Sequence, residues 1–331
     1  LFLAAVNGGE VTLTEDVVLT QPLNVQSTMT LNLNGHKITT TEERAGRHYY
    51  AIYNKGNLTI TGSGSIEARG IKNFGEMVID GNLTITNIDT DGGAAIWNEG
   101  KVTINNGNFA TNATAGVGSY GAALNTRSGG EAVVNGGNFY AYSQLTYAIV
   151  NEGTTTINNA VVKGKHGAVC GSETDTTSAT IIKGGSFELL ENPGVSDHCT
   201  YYVDAIYGGT FSLGNNTDCG AQVFYESNIA DGYKTVEKYN GIYVVPQLVA
   251  DLYNVTTETS VEFTENLNVT TGATIHTQGA AAAITIDGKG KSVVSTANSA
   301  NDFQWWENGK FPAMSTILSS QNGEKVTVKN L

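Results

Sequence analysis

The sequence predicts an all-β chain folded as a right-handed parallel β-helix, with a small capping sheet and the start of a second β-helix module. Three observations carry this: a composition hostile to helix, one short phrase that keeps returning, and a period-2 strand after each return. Among 331 residues, 15% are charged and 40% hydrophobic, with 40 glycines and only 4 prolines. Asn and Thr recur throughout. Gly, Asn, Thr and Val are poor helix formers, and together they suit short strands joined by tight turns.

The phrase appears as Ala51-Ile52-Tyr53-Asn54-Lys55-Gly56, Gly70-Ile71-Lys72-Asn73-Phe74-Gly75, Ala95-Ile96-Trp97-Asn98-Glu99-Gly100 and Ala148-Ile149-Val150-Asn151-Glu152-Gly153. Looser copies are Ala122-Ala123-Leu124-Asn125, Ala168-Val169-Cys170-Gly171 and Ala205-Ile206-Tyr207-Gly208. Self-similarity at such spacing is the mark of a solenoid, in which each repeat buries its apolar face only by stacking on its neighbours. After each phrase comes an alternating strand such as Leu58-Thr59-Ile60 or Val102-Thr103-Ile104, then a turn and a further strand such as Asn106-Gly107-Asn108-Phe109. A coil thus holds about three short strands.

Strands of successive coils pair in parallel about 4.8 Å apart. Ile52, Ile71, Ile96, Ile149 and Ile206 are therefore expected to stack in one inward column. Asn54, Asn73, Asn98 and Asn151 are expected at a bend that tolerates left-handed backbone, where stacked amides bond along the axis as a ladder. The separation between phrases varies, and extra residues must leave the coil as loops because a slipped strand exposes its buried side. The clearest loop candidates are 40–50, 111–121 and 190–202.

A second level of repetition divides the chain. Glu10-Val11-Thr12-Leu13-Thr14-Glu15-Asp16-Val17 resembles Ser260-Val261-Glu262-Phe263-Thr264-Glu265-Asn266-Leu267, and Leu31-Asn32-Leu33-Asn34-Gly35 reads alongside Ile284-Thr285-Ile286-Asp287-Gly288. This gives a β-helix module over 1–228, a capping β element over 229–246 and an incomplete second module over 247–331. A cap is needed because an open solenoid end is an unpaired edge. The opening Leu1-Phe2-Leu3 and the strand pattern at Val326-Thr327-Val328 read as a segment of something longer.

These phrases resemble the pectin-lyase-like β-helix superfamily, and more narrowly the modular β-helix repeats of bacterial surface proteins and of phage fibre or decoration proteins. The strand followed by Leu33-Asn34-Gly35, the Ala-Ile-x-Asn-x-Gly coils, and the closing Gly232-Tyr233 with Gly241-Ile242-Tyr243-Val244 carry the likeness over nearly the whole chain. Many members of the superfamily cleave polysaccharides. Of the polygalacturonase-type motifs, Asp89-Thr90-Asp91-Gly92 departs at its first residue and reads as a surface turn. No Asp-Asp pair occurs, His166-Gly167 follows Lys165, and Arg69-Gly70-Ile71-Lys72 lies upstream, out of order. Of the pectate-lyase motifs only Asp197-His198 is present, and no arginine follows Arg127. No catalytic residue is therefore assigned.

The net charge of −13, from 18 basic and 31 acidic residues, argues against nucleic acid and anionic membranes. No run approaches the roughly 20 apolar residues of a membrane span. The five histidines show no metal-ligand spacing, so neither a metal nor another cofactor is expected. Of the three cysteines, Cys170, Cys199 and Cys219, the last two are about one coil apart. They are either small core residues or a disulfide between adjacent coils. Aromatic clusters are the readiest handles for a glycan or protein partner. Candidates are Phe303, Trp305 and Trp306 in one stretch, and Tyr49 and Tyr50 with Tyr140, Tyr142, Tyr147, Tyr201 and Tyr202 as a rim.

The functional expectation is a non-catalytic structural or adhesive module of a large extracellular protein, on a virion (fibre or capsid decoration) or a bacterial cell surface. Its partner would be a glycan or protein on a host or capsid surface, with homo-oligomers if it forms a fibre. The alternative is a polysaccharide-active lyase or hydrolase of the β-helix class.

Overall fold

The computed structural model describes residues 1–41, 43–44, 47–113, 121–142, 146–190, 199–214, 223–238, 241–248, 250, 259–263, 266–269, 275–276, 283–295, 318–319 and 325–330. The chain is all-β with parallel sheets, and it forms two compact units. The first takes Leu1–Ile182, Ser186–Ala205 and Phe211–Asn228; the second takes Lys183–Gly185, Ile206–Thr210 and Ile229–Leu331.

In the first unit, after a short helix over Phe2–Asn7, the chain visits three sheets in strict rotation. The first sheet receives Gly9–Thr12, Thr28–Asn32, Asn57–Thr61, Glu76–Asp80, Lys101–Ile104, Glu131–Val134, Thr154–Ile157 and Ala179–Ile182. The second receives Val17–Leu19, Lys37–Thr40, Gly64–Ala68, Leu83–Asn87, Asn108–Thr111, Asn138–Ala141, Val161–Gly164 and Ser186–Leu189. The third receives Leu23–Val25, Ile52–Asn54, Ile71–Asn73, Ile96–Asn98, Leu124–Thr126, Tyr147–Asn151, Gly167–Cys170 and Thr200–Tyr201.

Alternation puts one apolar column of each sheet in the core. In the third sheet it runs Leu23, Ile52, Ile71, Ile96, Leu124, Ile149 and Val169, each fully buried. The column continues with Thr200, not with Ile206 as the looser phrase suggested. In the second sheet Phe109 and Phe139 stack at 4.8 Å between ring centroids, and Phe187 stacks on Phe211 at 4.9 Å. All three loop candidates begin at the end of a second-sheet strand and lead to a third-sheet strand, but the third, 190–202, also takes in that strand, Thr200–Tyr201. Within the first, Glu43–Arg44 and Arg47–His48 pair as a short antiparallel ladder.

The glycine of each phrase has a steric reason. A Cβ at Gly75 would meet the carbonyl oxygen of Gly56, and one at Gly100 that of Gly75. Coils approach closely here, beside the asparagine corner.

The second unit contains an antiparallel hairpin, Tyr233–Lys238 with Gly241–Pro246. Beyond it, Thr259–Glu262, Ala283–Asp287 and Lys325–Lys329 form one parallel sheet. Leu267–Val269 pairs with Val293–Ser295, and Ile275–His276 with Leu318–Ser319, both parallel. The rotation through three sheets therefore recurs. The alignment of the two modules shifts, however, by two residues from the sequence reading. Val11 stands opposite Leu31, but Val261 stands opposite Ile286 rather than Ile284. Asn32 thus matches Asp287, and the left-handed Asn34 (φ 50°) matches Lys289 (φ 49°). Each acid or amide accepts the backbone N–H two residues on: Asn34 N to Asn32 Oδ1 at 2.9 Å, Lys289 N to Asp287 Oδ1 at 3.1 Å.

Candidate binding surface

The ladder is set at the corner that follows each third-sheet strand. Asn54 Nδ2 donates to Asn73 Oδ1 at 2.7 Å, and Asn73 Nδ2 to Asn98 Oδ1 at 2.7 Å. The same amides also donate to the Glu76, Lys101 and Glu131 carbonyls of neighbouring first-sheet strands. All four ladder asparagines are fully buried. Between Asn98 and Asn151 the position belongs to Thr126, not Asn125, because Leu124 takes the register of Ile96. Here hydroxyls continue the chain of bonds: Thr126 reaches Thr155 at 3.1 Å, Thr155 donates to Asn151 Oδ1 at 2.8 Å, and Asn151 Nδ2 to Thr180 Oγ1 at 2.7 Å.

The asparagines are not selected for left-handed backbone. Among the described residues, the non-glycine positions with positive φ are Asn34, Tyr202, Lys289 and Asn330. The requirement is the side-chain amide, which both donates and accepts and so can be satisfied in a stack. Two further amide rows escaped the sequence reading. Asn135 donates to Asn105 at 2.9 Å and Asn158 to Asn135 at 2.7 Å, while Asn138 donates to Asn108 at 2.8 Å. The signal of the first row was the Asn that follows Ile104, Val134 and Ile157, and of the second the Asn before Phe109 and Phe139.

The same strands present a charged aromatic face outward. Tyr53, Lys72 and Trp97 stand in adjacent register between the buried isoleucines and asparagines. The Trp97 ring is covered by two cations, Lys72 Nζ at 5.4 Å and the Arg127 guanidinium at 4.9 Å. Lys72 pairs with Glu99 at 2.9 Å, Trp97 Nε1 donates to Glu99 at 2.7 Å, and Arg127 pairs with Glu152 at 2.8 Å. Partial burial pushes the Glu99 carboxyl up, but the hydrogen bonds from Lys72 and Trp97, with the Lys72 and Arg127 charges, outweigh it. Glu99 sits below the usual carboxylate range.

Farther along this sheet, Tyr201 packs on Tyr202 (3.9 Å) and Tyr225 (5.9 Å). On the second sheet Tyr140 and Tyr142 lie nearly parallel, 7° apart, and Tyr142 is 53% exposed. Tyr147 meets His166 edge-on at 4.7 Å.

Tyr49 and Tyr50 do not form a rim. Tyr50 is buried under Arg69, whose guanidinium lies 5.4 Å from the ring centroid, and burial raises its phenol above the usual range. Tyr49 is half-buried, its hydroxyl donating to the Leu19 carbonyl at 2.9 Å. Phe303, Trp305 and Trp306 lie outside the described residues, as do Cys219 and the Asp197-His198 pair. Cys199 is a free, fully buried thiol and Cys170 a free, partly buried one, both pushed up to about 12 chiefly by burial. Neither is a thiolate at neutral pH.

The turn at 89–92 also differs from its sequence reading. Asp91 is exposed, but Asp89 is buried, with its carboxylate 3.7 Å from Arg69 and one oxygen accepting the Asp91 N–H at 2.9 Å. Asn87 ties the turn down through the Gly92 and Gly93 carbonyls. Among the described residues, no group of three or more His, Cys, Asp or Glu is placed to hold a metal, and no helix is long and apolar enough to cross a membrane. No protein-family model matches the chain, and no curated protein or solved structure matches it either.

Proposed function

We propose that this chain is a right-handed parallel β-helix of the pectin-lyase-like kind, acting as a non-catalytic structural or adhesive module of an extracellular surface or virion protein. The observation that carries the non-catalytic half is the pairing of its surface acids. Along the outer faces Glu67 pairs with Lys37, Glu99 with Lys72, Glu131 with Lys101, Glu152 with Arg127 and Glu188 with Lys163. A glycosidase acid must hold its proton near neutral pH, and Glu99, held below the usual carboxylate range by Lys72, Trp97 and Arg127, is set the opposite way. The rotation of strands through three sheets in fixed parallel register supports the β-helix.

Among the described residues the rings at least one-third exposed are Phe2, Phe74, Tyr142, Tyr207 and Tyr225, with Lys72 lying over Phe74 and Tyr225 packed on Tyr201. A ring face offers stacking area to a sugar or a protein at small entropic cost. The test is incubation of the protein with pectin, alginate, capsule and mucin glycans, reading both retention and product release. Binding without reducing ends or unsaturated products is expected, weakened by Tyr142→Ala or by Trp305→Ala and Trp306→Ala. Turnover lost on changing one surface acid would replace this reading with the enzyme.

A further inference from the structure

Apolar side chains are not left open at random. Nine large ones are exposed among the described residues, and three of them, Phe2 (41%), Leu3 (76%) and Val6 (51%), belong to the single helical turn and a half at Phe2–Asn7. That helix is a built part of the first unit. Ala5 is buried and its carbonyl accepts the Gln26 N–H at 2.8 Å, while Ser27 Oγ donates to the Val6 carbonyl at 2.6 Å. One side of the helix is therefore fixed on the first coil, and the other side is an apolar face.

The second unit has a helical turn in the corresponding place, with Gln247 and Asp251 where the first has Phe2 and Val6, and with a hairpin directly before it. Residues 247, 248 and 250 are helical, and Leu248-Val249-Ala250 repeats the pattern of Leu3-Ala4-Ala5 just ahead of that unit's parallel strands. Ala250 is buried as Ala5 is. Here the helical turn continues directly from the antiparallel hairpin 233–246, locked to it by Gln247 N donating to the Gly232 carbonyl at 2.8 Å. Val244 and Val245 of that hairpin are buried, and Leu248 is half-buried where Leu3 is open.

We propose that the Phe2, Leu3 and Val6 face is a docking surface for an antiparallel β-hairpin of the 233–246 type, joined to the helix as Pro246 is joined to Gln247. The hairpin would then seat the helix that opens a stack of coils, hiding the apolar patch that the helix alone leaves open.

The experiment places a copy of residues 229–246 directly ahead of Leu1 in the full chain. The graft is expected to raise Tm and to slow amide exchange at residues 2–8 by about tenfold or more. Leu3→Glu separates the joint from a general effect: it should leave Tm of the parent chain unchanged, because Leu3 is exposed there, and abolish the gain in the grafted chain. Unchanged Tm and unchanged exchange in the graft would overturn the proposal, as would a gain that survives Leu3→Glu. Concentration-dependent dimers of the parent chain that Leu3→Glu dissolves would also overturn it, making a second copy the occupant.

Discussion

Residues 71–73 and 96–98 carry two hydrogen-bond systems on alternate positions of the same strands. Inward of the corner, Asn73 and Asn98 share a neutral amide bond with no solvent. Outward, Lys72 and Trp97 share Glu99 in a charged cluster that water reaches. The distances are alike, 2.7 Å and 2.7–2.9 Å. Their worth is not, because an unmade bond is refilled by water outside and by nothing inside. In this fold burial, more than formal charge, ranks the interactions.

The largest effect belongs to the column beneath both systems. Ile96→Ala removes a fully buried side chain between Ile71 and Leu124, and the cavity should cost about 2–5 kcal/mol in denaturant unfolding. A cost under about 1 kcal/mol would mean the coils collapse around the gap.

Asn73→Ala comes next. It leaves Asn54 Nδ2 and Asn98 Oδ1 short of their ladder partner, at roughly 1–3 kcal/mol per orphaned group. Asn73→Asp should be as damaging despite its shape, since a carboxylate cannot donate to Asn98. Equal stability of Asn73→Asp and the parent at neutral pH would break the distinction drawn between the two faces.

Asp287 is an intermediate case, a charge enclosed by a turn. Asn330 Nδ2 and the Lys289 N–H donate to it, and Lys289 and Lys329 lie at 3.4 and 3.3 Å. The Asn330 bond first, then the Lys289 N–H, hold its pKa well below the usual carboxylate value. A depressed folded pKa stabilises above the unfolded value and is lost as pH falls. Melting of the second unit should therefore weaken between about pH 4 and about pH 2, and Asp287→Asn should flatten that slope. Asn32 holds the matching turn of the first unit without a charge, so this contribution has no counterpart there.

The sequence showed what alternation and repetition encode, and missed what they cannot. The column at Ile52, Ile71, Ile96 and Ile149 was legible because each residue heads the same phrase. Asn125, in a looser copy of the phrase, lies off the ladder because it directly follows Leu124, whereas Asn98 stands two residues after Ile96. One residue of difference moves a side chain to the next position across the strand. The two-residue slip between modules was invisible for the opposite reason: a shift of two keeps every apolar residue on its own face. The strand register and the left-handed residues, Asn34 and Lys289, reveal the true match. The ring of Tyr50 sank beneath Arg69, a contact between coils that no local pattern announces.

The smallest effect should come from the outer face, where Arg127 and Glu152 make the shortest ion pair beside Trp97, at 2.8 Å. Both side chains are about one-quarter exposed, 24% and 27%, so water and salt screen the pair while the half-buried surroundings retain some of it. A double-mutant cycle with Arg127→Gln and Glu152→Gln should give a coupling of about 0.2–1 kcal/mol that shrinks as salt rises. Arg127→Gln alone should cost more than Glu152→Gln alone, because the guanidinium also covers the Trp97 ring. Trp97→Leu would isolate that difference: the two single substitutions should then cost the same. A coupling above about 2 kcal/mol, insensitive to salt, would show that this face behaves like the buried ladder and that the contrast between the two sides of the strand does not hold.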